Sequence, residues 1–212
     1  MNCLQLEKIL TELRLPDQSL DILLSQHDKL KKSLLSIPSG KRLTLLMTSN
    51  DLGSVMHKMA AIKGTDEMIE CMTDCVERQD YYHLMKIQDE CGQTALHVAA
   101  RNSNLNAVMC MLNHLFPGDR VRILEMKDTG YLTAFHHLAG KAENCDWITE
   151  KLLPMIEVRY LEGFLEGQLS KPKEVKTEVI MSLTAYKDSR ISTPSPGRYL
   201  YKFPFLWPIN WF

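Results

Sequence analysis

Histidine and cysteine are the side chains here whose spacing could do chemistry, and the 212-residue chain has seven of the first and six of the second. Hydrolysis or nucleotide chemistry needs them in recognisable company. None of G-x-x-x-x-G-K-[ST], G-x-G-x-x-G, G-x-S-x-G or H-E-x-x-H occurs. His136 and His137 are adjacent, so on a helix they point in different directions and make no bidentate site. Cys71 and Cys75 share a helix face, but no second ligand pair has the spacing that tetrahedral zinc requires. The thiols then read as small buried hydrophobes in a reducing compartment. The expectation is an uncatalytic chain: no catalytic residues, no metal and no cofactor.

What the histidines do share is a period. Asp89-Glu90-Cys91-Gly92-Gln93-Thr94-Ala95-Leu96-His97-Val98-Ala99-Ala100 is followed by Asp128-Thr129-Gly130-Tyr131-Leu132-Thr133-Ala134-Phe135-His136-His137-Leu138-Ala139, with one extra residue between glycine and threonine. A weaker copy runs from Asn50-Asp51-Leu52-Gly53-Ser54 to His57-Lys58-Met59-Ala60-Ala61. The anchoring His57, His97 and His136 stand 40 and 39 residues apart. Stretches opening at Ile37-Pro38, Tyr81-Tyr82 and Phe116-Pro117 precede the three copies, each running from a breaker or polar turn into an apolar i, i+3/i+4 pattern. The unit reads as two helices, a short extra helical turn and a hairpin-like loop. In it Gly92 and Gly130 supply the positive φ of a tight turn. Thr94 and Thr133 cap the first helix, and Ala99 with Ala100 lets helices approach closely.

Thr94-Ala95-Leu96-His97-Val98-Ala99-Ala100 resembles the T-P-L-H-x-A signature of ankyrin repeats, with Ala95 where proline is usual. The period of 39–40 rather than 33 resembles a long-linker variant. HEAT or armadillo units fit the period but do not require Gly-x-Thr-x-Leu-His before a helix. Met59 and Leu138 depart from the usual alanine, as units at the ends of a stack do. The resemblance implies an all-α fold: an α-solenoid of stacked helix-turn-helix repeats with hairpin-like loops, a helical N-terminal cap and a poorly ordered C-terminal tail. It gives Gly92, Thr94, Leu96, His97, Ala99, Ala100, Gly130, Thr133 and His136 structural roles, the histidines by hydrogen-bonding neighbouring turns.

The expected divisions are a cap or degenerate half-repeat over 1–32, repeats within 33–160 (about 50–80, 89–115 and 128–156), a capping helix over 161–170, and a flexible linker and aromatic tail over 171–212. Leu20, Leu23, Leu24, His27, Leu30, Leu34 and Leu35 form the stripe of the N-terminal covering helix. Seven of the 16 aromatics lie in the last 14 residues, beyond the Ser192-Thr193-Pro194-Ser195-Pro196-Gly197 linker. That tail either packs back on the stack, binds a partner or interface, or is not selected for folding.

With 25 Lys+Arg against 26 Asp+Glu, the chain lacks the basic field that drives non-specific nucleic-acid binding. No signal segment or 18-residue apolar run is present, which points to a cytoplasmic or nuclear protein with the membrane at most a role of the tail. Ankyrin proteins bind protein partners through a concave side of loop tips and inner helices. The resemblance therefore implies a non-enzymatic scaffold or adaptor, or else a piece of a larger multi-repeat signalling, receptor or channel protein. By position the contact residues are Asn50, Asp51, Leu52, Glu90, Gln93, Thr129 and Tyr131 at the tips, and Lys58, Arg101, Asn102 and Lys141 on the inner helices. Arg101 and Tyr131 are of types enriched at binding hot spots.

Overall fold

The structure, a computed structural model, describes residues 27–50, 53–169, 175 and 177–191. Within them the chain is all-α, with eleven helices of six residues or more and only a two-residue hairpin, β1 (Ser49–Asn50) against β2 (Gly53–Ser54). The helices are α1 (His27–Leu35), α2 (Ser39–Met47), α3 (Val55–Ala61), α4 (Asp66–Asp74), α5 (Arg78–Met85), α6 (Ala95–Arg101), α7 (Leu105–Asn113), α8 (Pro117–Leu124) and α9 (Ala134–Ala139). A distorted helical stretch, α10, follows over 142–155, with a π segment at Ile148–Leu152 and a 3₁₀ turn at Leu153–Met155 that contains Pro154. α11 (Val158–Leu169) and α12 (Thr177–Ile191) close the described chain.

The same three-helix pattern recurs. α3, α6 and α9 pack side by side in one row, and α1, α4 and α7 in a second, while α2 lies on α5 and α8 on α11. The sequence explains the first row. Met56, Leu96 and Phe135 take one repeating position, Ala60, Ala100 and Ala139 another, and all are at most 1% exposed. Alanine at the helix crossing lets backbones come close, and the larger residue fills the space beside it. Met59 and Leu138, which replace the usual alanine, are also fully buried. Phe135 meets Phe164 of α11 edge-on, with centroids 5.4 Å apart at 88°, so α11 covers the last unit.

Two expected boundaries move. The division at residue 32 cuts α1, whose Leu34 is buried against the core rather than belonging to a separate cap. The segment after 170, read as flexible linker, contains α12. Val179 and Leu183 are fully buried, and the Cys145 thiol donates to Ser182 Oγ at 3.1 Å. Its apolar residues are spread around the helix rather than gathered in one stripe, so the helix depends on the surface it docks against more than on its own pattern. Residues 1–26 and the aromatic tail 199–212 lie outside the described residues, so the readings of both stand apart from this structure.

Candidate functional site

Each unit turns into its inner helix through a hairpin-like loop. The pairs Ser49–Ser54, Gln88–Thr94 and Lys127–Thr133 bridge antiparallel at the loop bases. Asp89 Oδ1 accepts from the amides of Cys91 and Gln93, both at 2.9 Å, and Asp128 Oδ1 from that of Leu132 at 3.0 Å. The chain then takes a left-handed residue: Gly53 at φ +86, Gly92 at +68 and Tyr131 at +59. This corrects the sequence reading of the third loop. Its length from Asp to Thr equals that of the second, so no residue is added. The positive φ falls on Tyr131 rather than on Gly130, and an L side chain carries the strain.

After the loop comes a reciprocal cap. The backbone amides of Ser54, Thr94 and Thr133 donate to Nδ1 of His57, His97 and His136 at 3.1, 3.2 and 3.3 Å. The hydroxyls of the same three residues lie 3.0, 2.8 and 2.7 Å from Nδ1. On the other edge of each ring, Nε2 reaches into the next unit. It meets Gln93 O at 3.0 Å from His57, Met126 O at 3.0 Å and Leu132 O at 3.3 Å from His97, and Gln168 O at 3.0 Å from His136. A carbonyl only accepts, so Nε2 carries the hydrogen and Nδ1 the lone pair. Burial pushes the His97 pKa down to about 4, with the neighbouring His137 ring assisting, and burial lowers that of His57 as well. At the third unit Gln168 of α11 takes the place of a further loop, also accepting from Thr133 Oγ1 at 2.6 Å.

Asp128 receives His137 Nε2 at 2.9 Å. Burial works to raise its pKa, but the His137, Leu132 and Gly130 hydrogen bonds outweigh it and keep the carboxyl below its ordinary value. With both ring nitrogens engaged, His57, His97 and His136 are joints between units. None of them is poised as a base.

The residues expected to meet a partner divide. Tyr131 is 69% exposed, and Glu90, Arg101 and Asn102 are also exposed. Gln93 is corrected: only 6% exposed, it is turned inward, and its carbonyl is the acceptor for His57. Thr129 faces solvent while lashing two tips together, its amide and hydroxyl both donating to Cys91 O at 3.0 and 2.9 Å. Lys141 is drawn back onto the preceding unit, donating to Arg101 O at 2.6 Å and Ser103 Oγ at 2.9 Å. Asn50 belongs to β1, with its side chain outside the described residues, as are Asp51 and Leu52. Lys58 is half-buried on α3.

A second polar ladder escaped sequence reasoning. Thr65, Asn104 and Asn144 are nearly fully buried at the start of the second helices. Thr65 Oγ1 donates to Met59 O and Ile62 O, at 2.6 and 2.8 Å. Asn104 Nδ2 crosses to Ala60 O and Ile62 O of the preceding unit at 3.2 and 2.9 Å, and Asn144 Nδ2 reaches Leu138 O at 3.0 Å. Their spacing of 39 and 40 residues is visible once the histidine period is known.

The chain matches no protein-family model, no curated protein and no solved structure. Among the described residues, no helix is long and apolar enough to cross a membrane.

Proposed function

We propose that the chain is a non-enzymatic protein–protein interaction scaffold of the ankyrin type, engaging a protein partner through its loop tips and the exposed ends of its inner helices. The observation that carries this reading is the hydroxyl–histidine box of Ser54/His57, Thr94/His97 and Thr133/His136. It recurs in register, and each imidazole passes a hydrogen bond to the following unit. Such units cannot bury their faces alone, and stacking leaves an extended surface suited to a polypeptide. Tyr131 supports the location. A large aromatic 69% exposed in a strained left-handed turn costs stability, which is the kind of local outlier that accompanies a binding role. Arg101 on α6 contributes the second anchor.

A photo-crosslinking residue in place of Tyr131, irradiated in extract of the native source, should capture a specific partner. That partner, purified, should bind the Arg101→Ala, Tyr131→Ala double variant at least about tenfold more weakly than the parent chain. Equal affinity, with unchanged unfolding of the variant, would overturn the assignment of the surface.

A further inference from the structure

Carbonyls at the C-terminal end of a helix lack donors within the helix and must find them elsewhere. In two units an arginine supplies them from the fourth position of the third helix. Arg42 of α2 donates from Nε to Ile37 O at 2.7 Å and from Nη2 to Leu35 O at 3.2 Å, at the end of α1. Arg120 of α8 donates from Nε to Leu112 O at 2.9 Å and from Nη1 to Met155 O at 3.1 Å, at the ends of α7 and α10.

The unit between them departs from this pattern. Its fourth position, on α5, is Tyr81, 39 residues from each arginine. Thr73 O stands in α4 where Leu112 O stands in α7. It accepts the Cys75 and Val76 amides and no side chain among the described residues. Beside it lies a cavity of about 270 Å³, its walls including Thr73, Asp74, Arg78, Tyr81 and His114. Tyr81 is 1% exposed, and its hydroxyl has no hydrogen-bond partner among the described residues. Asp74, the last residue of α4, meets His114 Nε2 through Oδ1 at 3.0 Å, and its side chain is 64% exposed.

We propose that this cavity binds the guanidinium of an arginine side chain presented by a second polypeptide. The groups around it select that ligand. The C-terminal ends of α4 and α7 meet there beside the Asp74 carboxylate, and helix C-termini favour cations. Arg78 is already engaged, its Nε and Nη2 donating to His114 O and Leu115 O, both at 3.2 Å, while its guanidinium lies 4.7 Å over the Phe116 ring. A second guanidinium beside it has a precedent, since Arg78 and Arg120 share the end of α7. Thr73 O, the Tyr81 hydroxyl and the Asp74 carboxylate are separate acceptors, which suits a planar fork of five donors better than the point charge of lysine. The cavity is smaller than the roughly 300–1,000 Å³ of small-molecule sites, which fits one side chain rather than a whole metabolite. None of the residues assigned to the loop-tip surface lines it, so it is a second site.

The test is NMR titration of the full-length chain with N-acetyl-arginine amide, following the His114 and Tyr81 ring signals. A Kd on the order of 1 mM is expected, with N-acetyl-lysine amide about tenfold weaker and the uncharged citrulline amide not binding. Free L-arginine should bind no more tightly than the amide; a tighter grip on it would mean a metabolite site and overturn the assignment to a polypeptide. Tyr81→Arg should abolish binding by setting a guanidinium of the chain's own in the cavity, as Arg42 and Arg120 do at their helix ends. Asp74→Asn should weaken it by about fivefold. Arg101→Ala, at the loop-tip surface, should leave it unchanged, so failure here is distinct from failure of that surface. Circular dichroism checks folding, and Asp74→Asn decides the matter if Tyr81→Arg does not fold. No binding of the arginine amide, equal binding of the citrulline amide, shifts away from His114 and Tyr81, or undiminished binding in either folded variant overturns the proposal.

Discussion

Replacing Tyr131 with glycine should make the protein more stable. Tyr131 holds φ +59 two residues before its capping threonine, the position where Gly92 stands in the second loop at +68; in the shorter first loop Gly53, at +86, lies one residue before Ser54. A left-handed conformation costs an L residue roughly 1–2 kcal/mol. Glycine removes that strain but gives the unfolded chain more freedom, which takes back roughly 0.4–1 kcal/mol. At 69% exposure the ring has little buried surface to lose. The net expectation is a gain of about 0.5–1 kcal/mol, or an increase in Tm of about 1–4 °C at this chain length. Urea unfolding followed by circular dichroism, with the slope checked against the parent, measures it. Affinity for a captured partner should fall at the same time, because the aromatic is gone. A loss of more than about 1 kcal/mol would refute the reasoning, since Tyr131 would then be earning its place through packing rather than enduring strain.

The other glycines follow the same logic. Gly92→Ala should cost about 1–3 kcal/mol, because a Cβ there would sit 3.0 Å from the Thr129 amide nitrogen in addition to adopting positive φ. Gly130→Ala, at ordinary φ and facing only Asp128 Oδ1 at 3.2 Å, should cost clearly less. Equal losses in chemical denaturation would contradict the placement of the turn. Acid should loosen the stack. His97 has its pKa lowered from 6.5 to about 4, so between those values the unfolded chain binds a proton that the folded chain refuses. Its contribution, about 3 kcal/mol, is complete above pH 6.5, is lost as the pH falls, and is spent below about 4. Urea titrations at several pH values check the slope, and His97→Gln should flatten it. Tyr81→Phe should be neutral or stabilising by up to about 1 kcal/mol, since the hydroxyl is buried with no hydrogen-bond partner among the described residues. A destabilisation above that in thermal melts would reveal a partner for it.

Sequence reading reached the features that repeat and stopped where a residue's role depends on its neighbours. The threonine, histidine and alanine positions were legible because their types are set by local geometry: a cap, a ring reaching one unit onward, and a close helix crossing. Gly130 misled because glycine type suggested the turn, whereas loop length decides it, and equal lengths place positive φ at Tyr131. Gln93 looks like a solvated tip by polarity, but beside the Gln88–Thr94 bridge it is buried, its carbonyl accepting from the Asp89 amide and from His57 Nε2. Asn104, which the sequence reading passed over, caps α7 by accepting from the Ala107 amide. Its amide's reach across to Ala60 and Ile62 follows only from the stack. α12 has a weak apolar pattern of its own and takes its order from the surface beneath Val179 and Leu183.

The central claim is that neutral, buried imidazoles join each unit to the next. Long-range nitrogen–proton NMR of the imidazole rings, recorded from pH 7.5 to 5, tests it most directly. The account predicts three rings, His57, His97 and His136, as Nε2–H tautomers at pH 7.5, with His97 still neutral at pH 5. Titration of His97 near 6.5, or a hydrogen on Nδ1 of these rings, would contradict it.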